Sequence, residues 1–313
     1  MTTNPHDKLF KAAFSEPSVV ASLIEDLFPA ELATAIRLDS LTLSNASYID
    51  ESLDEHFADL VYDCQFNGNQ SVQIALLLEH KSYTVRHPHL QLLRYLMNRW
   101  QQDVEHNQAL TPTIAVIIYH GEAPWPYKPF SASLASSDPA LAPFFPGFDY
   151  LLINLSTLPD QQIVAFKSQF LALSAAMMKH RHDKAFDTFL ATIVAPLLGQ
   201  IAEADLERVM SPLFVYALEV SELTGKEIIS IFRRTNQTET TMTTLERFHY
   251  EMTKIGREEG REEGREEGRH EAIYKTVKGA LTLGMDAPTI AATFEIALED
   301  VENVLRQLQN EQA

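Results

Sequence analysis

The chain has 313 residues, with 43 acidic against 25 basic side chains and a formal net charge of −18. Its 45% apolar content is that of a globular protein, and the length suffices for one sizeable core plus an appendage. The longest apolar runs, around 74–78 and 114–118, cannot cross a bilayer, the first residues lack the basic and apolar stretches of a signal peptide, and the single cysteine excludes an intrachain disulfide, so a cytoplasmic protein with no membrane contact is expected.

Residues 6–36 read as helices. Leu9, Phe10, Ala13 and Phe14 are spaced for one buried face, and Ser15-Glu16-Pro17 interrupts the run, with Ser15 as the N-cap and Pro17 in the first turn of the restart. A first strand is expected within 38–49, through Leu41, Leu43 and Tyr48. Two alternating runs follow, near 57–66 and 71–81. Leu60, Tyr62, Cys64 and Phe66 form one apolar face, and Val72, Ile74, Leu76 and Leu78 another, which makes Cys64 a core-packing residue. Asn67-Gly68-Asn69 between them tolerates positive φ, so the pair reads as an antiparallel hairpin. With the turn centred on Asn69, Asp59 stands opposite Glu79 on the face away from the core, and Lys81 follows on the same face. Two carboxylates and an ammonium then converge on one patch able to hold a divalent cation and a water. The plainer alternative is a surface acid beside a same-face ion pair worth under about 1 kcal/mol.

A helix is expected over 87–105, with Leu90, Leu93, Leu96, Met97 and Trp100 as its apolar stripe, then strands over 113–119 and 150–155. The Pro- and Ser-rich residues between these strands form a long loop; Tyr119, His120 and Trp125 at its start either stack on bases or pack the loop. The pairs His87/His89 and His180/His182 read as polar surface. Residues 156–252 form a helical layer or bundle, with Pro196 and Pro212 at boundaries or kinks. Residues 253–271 carry Gly-Arg-Glu-Glu repeats from Gly256 to Gly268. This is either a flexible linker or a long helix whose glycines let another helix approach. Residues 272–313 read as a small helix–helix–helix unit, with a stop at Gly284 and an N-cap at Asp286. Thr289-Ile290-Ala291-Ala292 resembles a helix-turn-helix. Glu299, Asp300 and Glu302 at the start of the last helix would repel phosphates, so a protein-binding or dimerising unit is expected.

The acidic hairpin resembles the metal-dependent PD-(D/E)xK nuclease core. Further pieces resemble, in order, the recombination-promoting nuclease or transposase family of bacteria. They are His6-Asp7-Lys8-Leu9-Phe10-Lys11, Phe57-Ala58-Asp59, Glu79-His80-Lys81-Ser82, Leu90-Gln91-Leu92-Leu93-Arg94-Tyr95, and Ile118-Tyr119-His120-Gly121 with Trp125 after it. The Gly-Arg-Glu-Glu repeats complete the set. The resemblance implies an α/β fold: a restriction-endonuclease-like mixed sheet flanked by helices within 1–155, followed by an all-helical C-terminal region. It implies DNA cleavage, with Asp59 and Glu79 as Mg²⁺ ligands. Lys81 would act on the water or on the scissile phosphate. Gln91 would serve as the family's helical glutamine, and Asp7 as an outer contact.

The net charge of −18 opposes DNA binding, so affinity must come from a local basic groove, for which Lys8, Lys11, Lys81, Arg86, Arg94 and Arg99 are candidates. Weak, salt-sensitive and largely non-specific binding is expected, with homo-oligomerisation through the C-terminal region. The competing expectation is a non-enzymatic interaction or assembly protein that keeps the nuclease-like fold.

Overall fold

A computed structural model describes residues 4–44, 57–68, 70–79, 88–125, 138–144, 146–235 and 238–310; the side chains at 57–59, 78–79, 139, 142–143, 255–268, 270 and 309–310 lie outside that description. The chain forms two compact units, Met1–Glu246 and Arg247–Ala313.

The first unit opens with α1 (Pro5–Phe14), whose Asn4 cap accepts from His6 N, then α2 (Pro17–Leu27) and α3 (Ala30–Ala35). Leu9, Phe10, Ala13 and Phe14 are buried, as their spacing predicts. Ser15 closes α1 and Glu16 caps α2, so the expected N-cap at Ser15 is displaced by one residue: Ser15 N still bonds back to Lys11 O.

Five strands form one sheet in the order β1 (Ile36–Leu43), β2 (Phe57–Phe66), β3 (Gln70–Glu79), β4 (Thr113–Tyr119) and β5 (Leu151–Asn154). The first three are antiparallel and the last three parallel. A parallel β3–β4 pair needs a crossover, which α4 (Pro88–Glu105) supplies. The mixed sheet with flanking helices is the expected fold class.

The hairpin register corrects one expectation. Phe66 pairs with Gln70, so the turn centres on Gly68; Asn67 and Gly68 both take positive φ, 45° and 96°. Asp59 therefore pairs with Leu77, and Glu79 with Phe57. The face they share is also not the outer one. Val61, Ala75 and Leu77 on it are buried with Ala115, Ile117 and Tyr119 of β4 beneath Leu92 and Tyr95 of α4. The other face carries Tyr62, Ile74 and Leu76, equally buried, and Tyr62 donates to Phe14 O of α1 at 2.9 Å. Helices cover both faces because β4 is a continuously apolar parallel strand that cannot leave either face in water.

Arg99 pins α4 to the sheet. Its Nε donates to Gln73 Oε1, whose amide in turn donates to Asp63 at 2.7 Å. Nη1 meets Asp103, and Nη2 meets Thr111 at 3.0 Å. Arg99 is buried and paired, which removes it from the expected basic groove. Lys8 pairs with Glu219 at 2.8 Å.

The remaining helices of this unit are α5 (Asp160–Val164), α6 (Gln169–His180), α7 (Phe186–Phe189, continued by a π turn over Leu190–Val194 and by Ala195–Leu198), α8 (Leu206–Val220) and α9 (Gly225–Arg233). Pro196 follows the π turn, while Pro212 lies inside α8. They are tied to the N-terminal helices by Ser168 N to Ser22 Oγ at 2.9 Å, Lys167 N to Asp26 Oδ2 at 3.0 Å and an Arg208–Glu16 pair. Cys64 lies on the inner face, where burial pushes its thiol up to about 11 and keeps it unreactive.

α10 (Glu239–Thr282) runs out of the first unit into the second, and the Gly-Arg-Glu-Glu repeat lies in its helical backbone. α11 (Ala287–Phe294) and α12 (Leu298–Asn310) complete the second unit, with Val277, Ala280, Ile290, Val301 and Val304 as its core. Gly284 adopts φ 82° after α10, and Asp286 caps α11 by accepting from Thr289 N at 3.0 Å.

Candidate active site

The backbone brings most of the expected site residues to one end of the sheet. Asp59 sits near the start of β2 and Glu79 at the end of β3, in register with Tyr119 at the end of β4. Asp59 faces Leu77 and Glu79 lies two residues beyond, so the two positions are diagonal neighbours on the same sheet face. Such neighbours stand about 7–8 Å apart, close enough for an aspartate and a glutamate to reach a shared cation bound at about 2.1 Å from each oxygen. Their side chains, and Lys81 and Arg86 entirely, fall outside the described residues. Among the described residues no group of three His, Cys, Asp or Glu could hold a metal.

Gln91 can be placed from two rises. Arg99 of α4 is bonded to Gln73 of β3, and α4 returns antiparallel over that strand. Eight residues back along a helix is about 12 Å. Four residues forward along a strand is about 13 Å. Gln91 therefore stands at the level of Leu77, which is the register position of Asp59. Its Oε1 is buried and accepts no hydrogen bond from the described residues. A buried amide oxygen left without a donor has a real cost, and a cation-bound water would supply the donor. The residues present thus fit a divalent ion.

The Tyr-His-Gly end of β4 is a packing device. Tyr119 and Trp125 are buried, ring centroids 5.0 Å apart and edge-on, and Trp125 Nε1 donates to Tyr150 Oη at 2.9 Å. Tyr119 Oη donates to Ala123 O at 2.7 Å, which folds the ring over Gly121. Burial of these rings settles against base stacking by Tyr119 and Trp125. A methyl group on Gly121 would collide with the Tyr119 hydroxyl and ring carbon Cζ. Gly121→Ala should therefore displace Tyr119 and cost about 1–3 kcal/mol. Urea unfolding gives the cost, and a changed near-UV signal from Trp125 locates it; an unchanged spectrum with unchanged stability would contradict the contact.

His89, next to Gln91, is buried edge-on to Tyr150 at 5.4 Å, and burial lowers its pKa against the opposing pull of Asp149. It is core rather than polar surface, unlike the sequence expectation for the His87/His89 pair; His87 lies outside the described residues. His180 meets Asp160 at 2.9 Å through Nε2 and Asp183 at 2.6 Å through Nδ1.

A second cluster at the same end escapes sequence reasoning. His120 follows Tyr119, so it lies on the opposite face, where its ring packs edge-on against His6 of α1 at 4.7 Å. His6 Nδ1 bonds Tyr216 Oη at 2.9 Å. Arg181, one residue past α6, places Nη1 on His120 Nδ1, on His120 O and, at 3.2 Å, on Met178 O. Burial lowers the pKa of Arg181 and raises that of Tyr216. Asp7, beside His6, has its Oδ1 buried in this region. The local sequence His180-Arg181-His182 gives no hint of it, because its partners come from residues 6, 120 and 216.

Residues 4–208 match the family model described as "Putative transposase, YhgA-like". The chain belongs to this family. Recombination-promoting nuclease RpnD of Escherichia coli O157:H7 is 26% identical over 261 residues, 79% of this chain and 95% of that protein. The inactive recombination-promoting nuclease-like protein RpnE of E. coli K12 is 25% identical over 311 residues, 96% of this chain and 98% of that protein. Recombination-promoting nuclease RpnA of E. coli K12 is 24% identical over 223 residues, 71% and 74% of the two chains. No solved structure matches. Membership places the chain among nuclease-like proteins. Because the family's relatives bear both active and inactive names, activity rests on the site residues. Among the described residues no helix is long and apolar enough to cross a membrane.

Proposed function

We propose that the chain is a Mg²⁺-dependent DNA endonuclease that hydrolyses phosphodiester bonds in recombination or transposition-like processing in the cytoplasm. One observation carries the reading. Positions 59 and 79 share a sheet face at one end, and Gln91, with a buried amide oxygen that accepts no hydrogen bond from the described residues, stands at the same level of the overlying helix. A divalent cation bound there supplies Lewis-acid polarisation of the phosphate and a water of lowered pKa. Asp59 and Glu79 would hold that ion. Gln91 would orient the water, and Lys81 would neutralise the scissile phosphate or, as the neutral amine, accept a proton from the water. Binding to DNA is largely non-specific and falls with salt. The test is nicking of supercoiled plasmid by full-length protein: activity with Mg²⁺, none with EDTA. Protein that is folded and binds DNA yet never nicks with any divalent ion overturns the reading.

A second reading, a non-enzymatic interaction protein, is favoured by the match along nearly the whole length to a relative named inactive. In either reading the C-terminal region assembles copies of the chain. Four glycines at 256, 260, 264 and 268 cost an isolated helix about 4 kcal/mol relative to alanine, so α10 gains from a helix packed along it. Deleting 256–313 should lower the oligomeric state by light scattering and leave the sheet's circular dichroism intact. Unchanged stoichiometry would leave the repeat as a monomeric helix.

A further inference from the structure

The first unit buries two described arginines with opposite fates. Arg99, 7% exposed, has the carboxylate of Asp103 against it. Among the described residues Arg181, 6% exposed, has no carboxylate within ion-pairing distance, and its three hydrogen bonds all leave from Nη1. Glu122 acts on it only from a distance. Nε and Nη2 make no hydrogen bond among the described residues. A buried charge without a counter-charge costs several kcal/mol, so such a site is built for an anion.

Arg181 also lines an open cleft, shared with the exposed His182, Lys184 and Asp187 from its own stretch of chain and with Ser221 and Glu222 after α8, so the anion must be held by the guanidinium itself and not by the net charge of the cleft. Asp183, on the same stretch as Arg181, is bonded to His180. The guanidinium is fixed by the carbonyl of His120, the residue after Tyr119, whose register partner is Glu79. Adjacent strands lie about 4.8 Å apart and a strand rises about 3.3 Å per residue, so Nη1 is within about 10 Å of the backbone at Glu79, at the same sheet end but on the other face.

We propose that Arg181 is a phosphate-binding residue: the fork of Nε and Nη2 takes a backbone phosphate of the nucleic acid, flanking the bond cut at the Asp59/Glu79 end of the sheet. The inference rests on the nuclease reading. A planar, permanently charged fork suits two phosphate oxygens, and pre-fixing by His120 removes the ordering cost.

The test measures binding of a fluorescent DNA duplex across a salt series, using full-length Glu79→Ala protein as the parent. Adding Arg181→Met should weaken binding about tenfold and reduce the slope of log K against log salt by about one. Because Arg181 also has structural bonds, a second variant leaves it intact. Glu222→Lys, exposed in the same cleft, should tighten binding several-fold and steepen the slope. Glu31→Lys, the same charge change on exposed α3, should do so less. Arg181→Met that melts like its parent and binds like it, or Glu222→Lys no different from Glu31→Lys, overturns the inference while leaving the nuclease reading intact. Wild-type protein that neither nicks nor binds DNA overturns both.

Discussion

Glu79→Ala and Asp59→Ala should each reduce Mg²⁺-dependent plasmid nicking to the level seen with EDTA, a loss of roughly 10²–10³-fold or more, as for removal of a group that stabilises developing charge. Both positions lie at the open end of the hairpin, Asp59 two residues before the buried Val61 and Glu79 two residues after the buried Leu77, so the substitutions should leave the unfolding midpoint within a few degrees of wild type. Lys81→Ala should lose a comparable factor. Gln91→Ala should lose less, about 10–100-fold, because an outer contact orients the bound water without carrying charge. Raising the Mg²⁺ concentration should partly rescue Asp59→Ala and leave Lys81→Ala unrescued, since only the first weakens the ion's affinity. Retained nicking by folded Glu79→Ala, purified by a route that removes host nucleases, would falsify the assignment of Glu79 and move the cleavage to other residues.

Much of this was legible in the sequence because period-2 alternation reports strands directly. The hairpin emerges from it, whereas the crossover helix shows in its helical apolar stripe and β4 in its continuous apolar run. Register did not emerge, since it depends on which residue of Asn67-Gly68-Asn69 centres the turn, and moving the centre by one residue shifts pairing by two. The shared face survives that shift because two is the strand period. Burial of the acidic face was also illegible, for a local reason. Gln73 on that face looks polar and outward, yet it is buried because Arg99, 26 residues away, donates to its amide oxygen, while its own amide donates to the exposed Asp63. Arg181 was missed on the same grounds: its environment is assembled from His120, 61 positions away, and from residues of α1 and α8. Alternation and helical spacing see neighbours, whereas polar groups in a core are explained by partners distant in sequence.

That buried network sets the second large expectation. Asp103→Ala should destabilise the first unit by about 3–5 kcal/mol, because it removes the carboxylate paired with the buried Arg99 guanidinium. It also deprives Thr111 N of its acceptor at 2.8 Å, at the entry to β4. The double variant Arg99→Met, Asp103→Leu should cost much less, since it removes both charges and keeps the volume. The pH dependence has a definite sign. Burial alone would push the Asp103 carboxyl up, but the Thr111 N–H and the Arg99 guanidinium together hold it below the usual carboxylate range. A carboxyl depressed in the folded state contributes stability that is fully present above its unfolded pKa of about 3.9 and is lost as pH falls through the folded value. The stability difference between wild type and Asp103→Ala, from urea unfolding, should be flat from about pH 5 to 8 and shrink below about pH 4. A difference that grows in acid would mean that Asp103 is protonated in the fold, with Arg99 balanced by some other group; a small difference at every pH would mean that α4 is held by its apolar stripe alone.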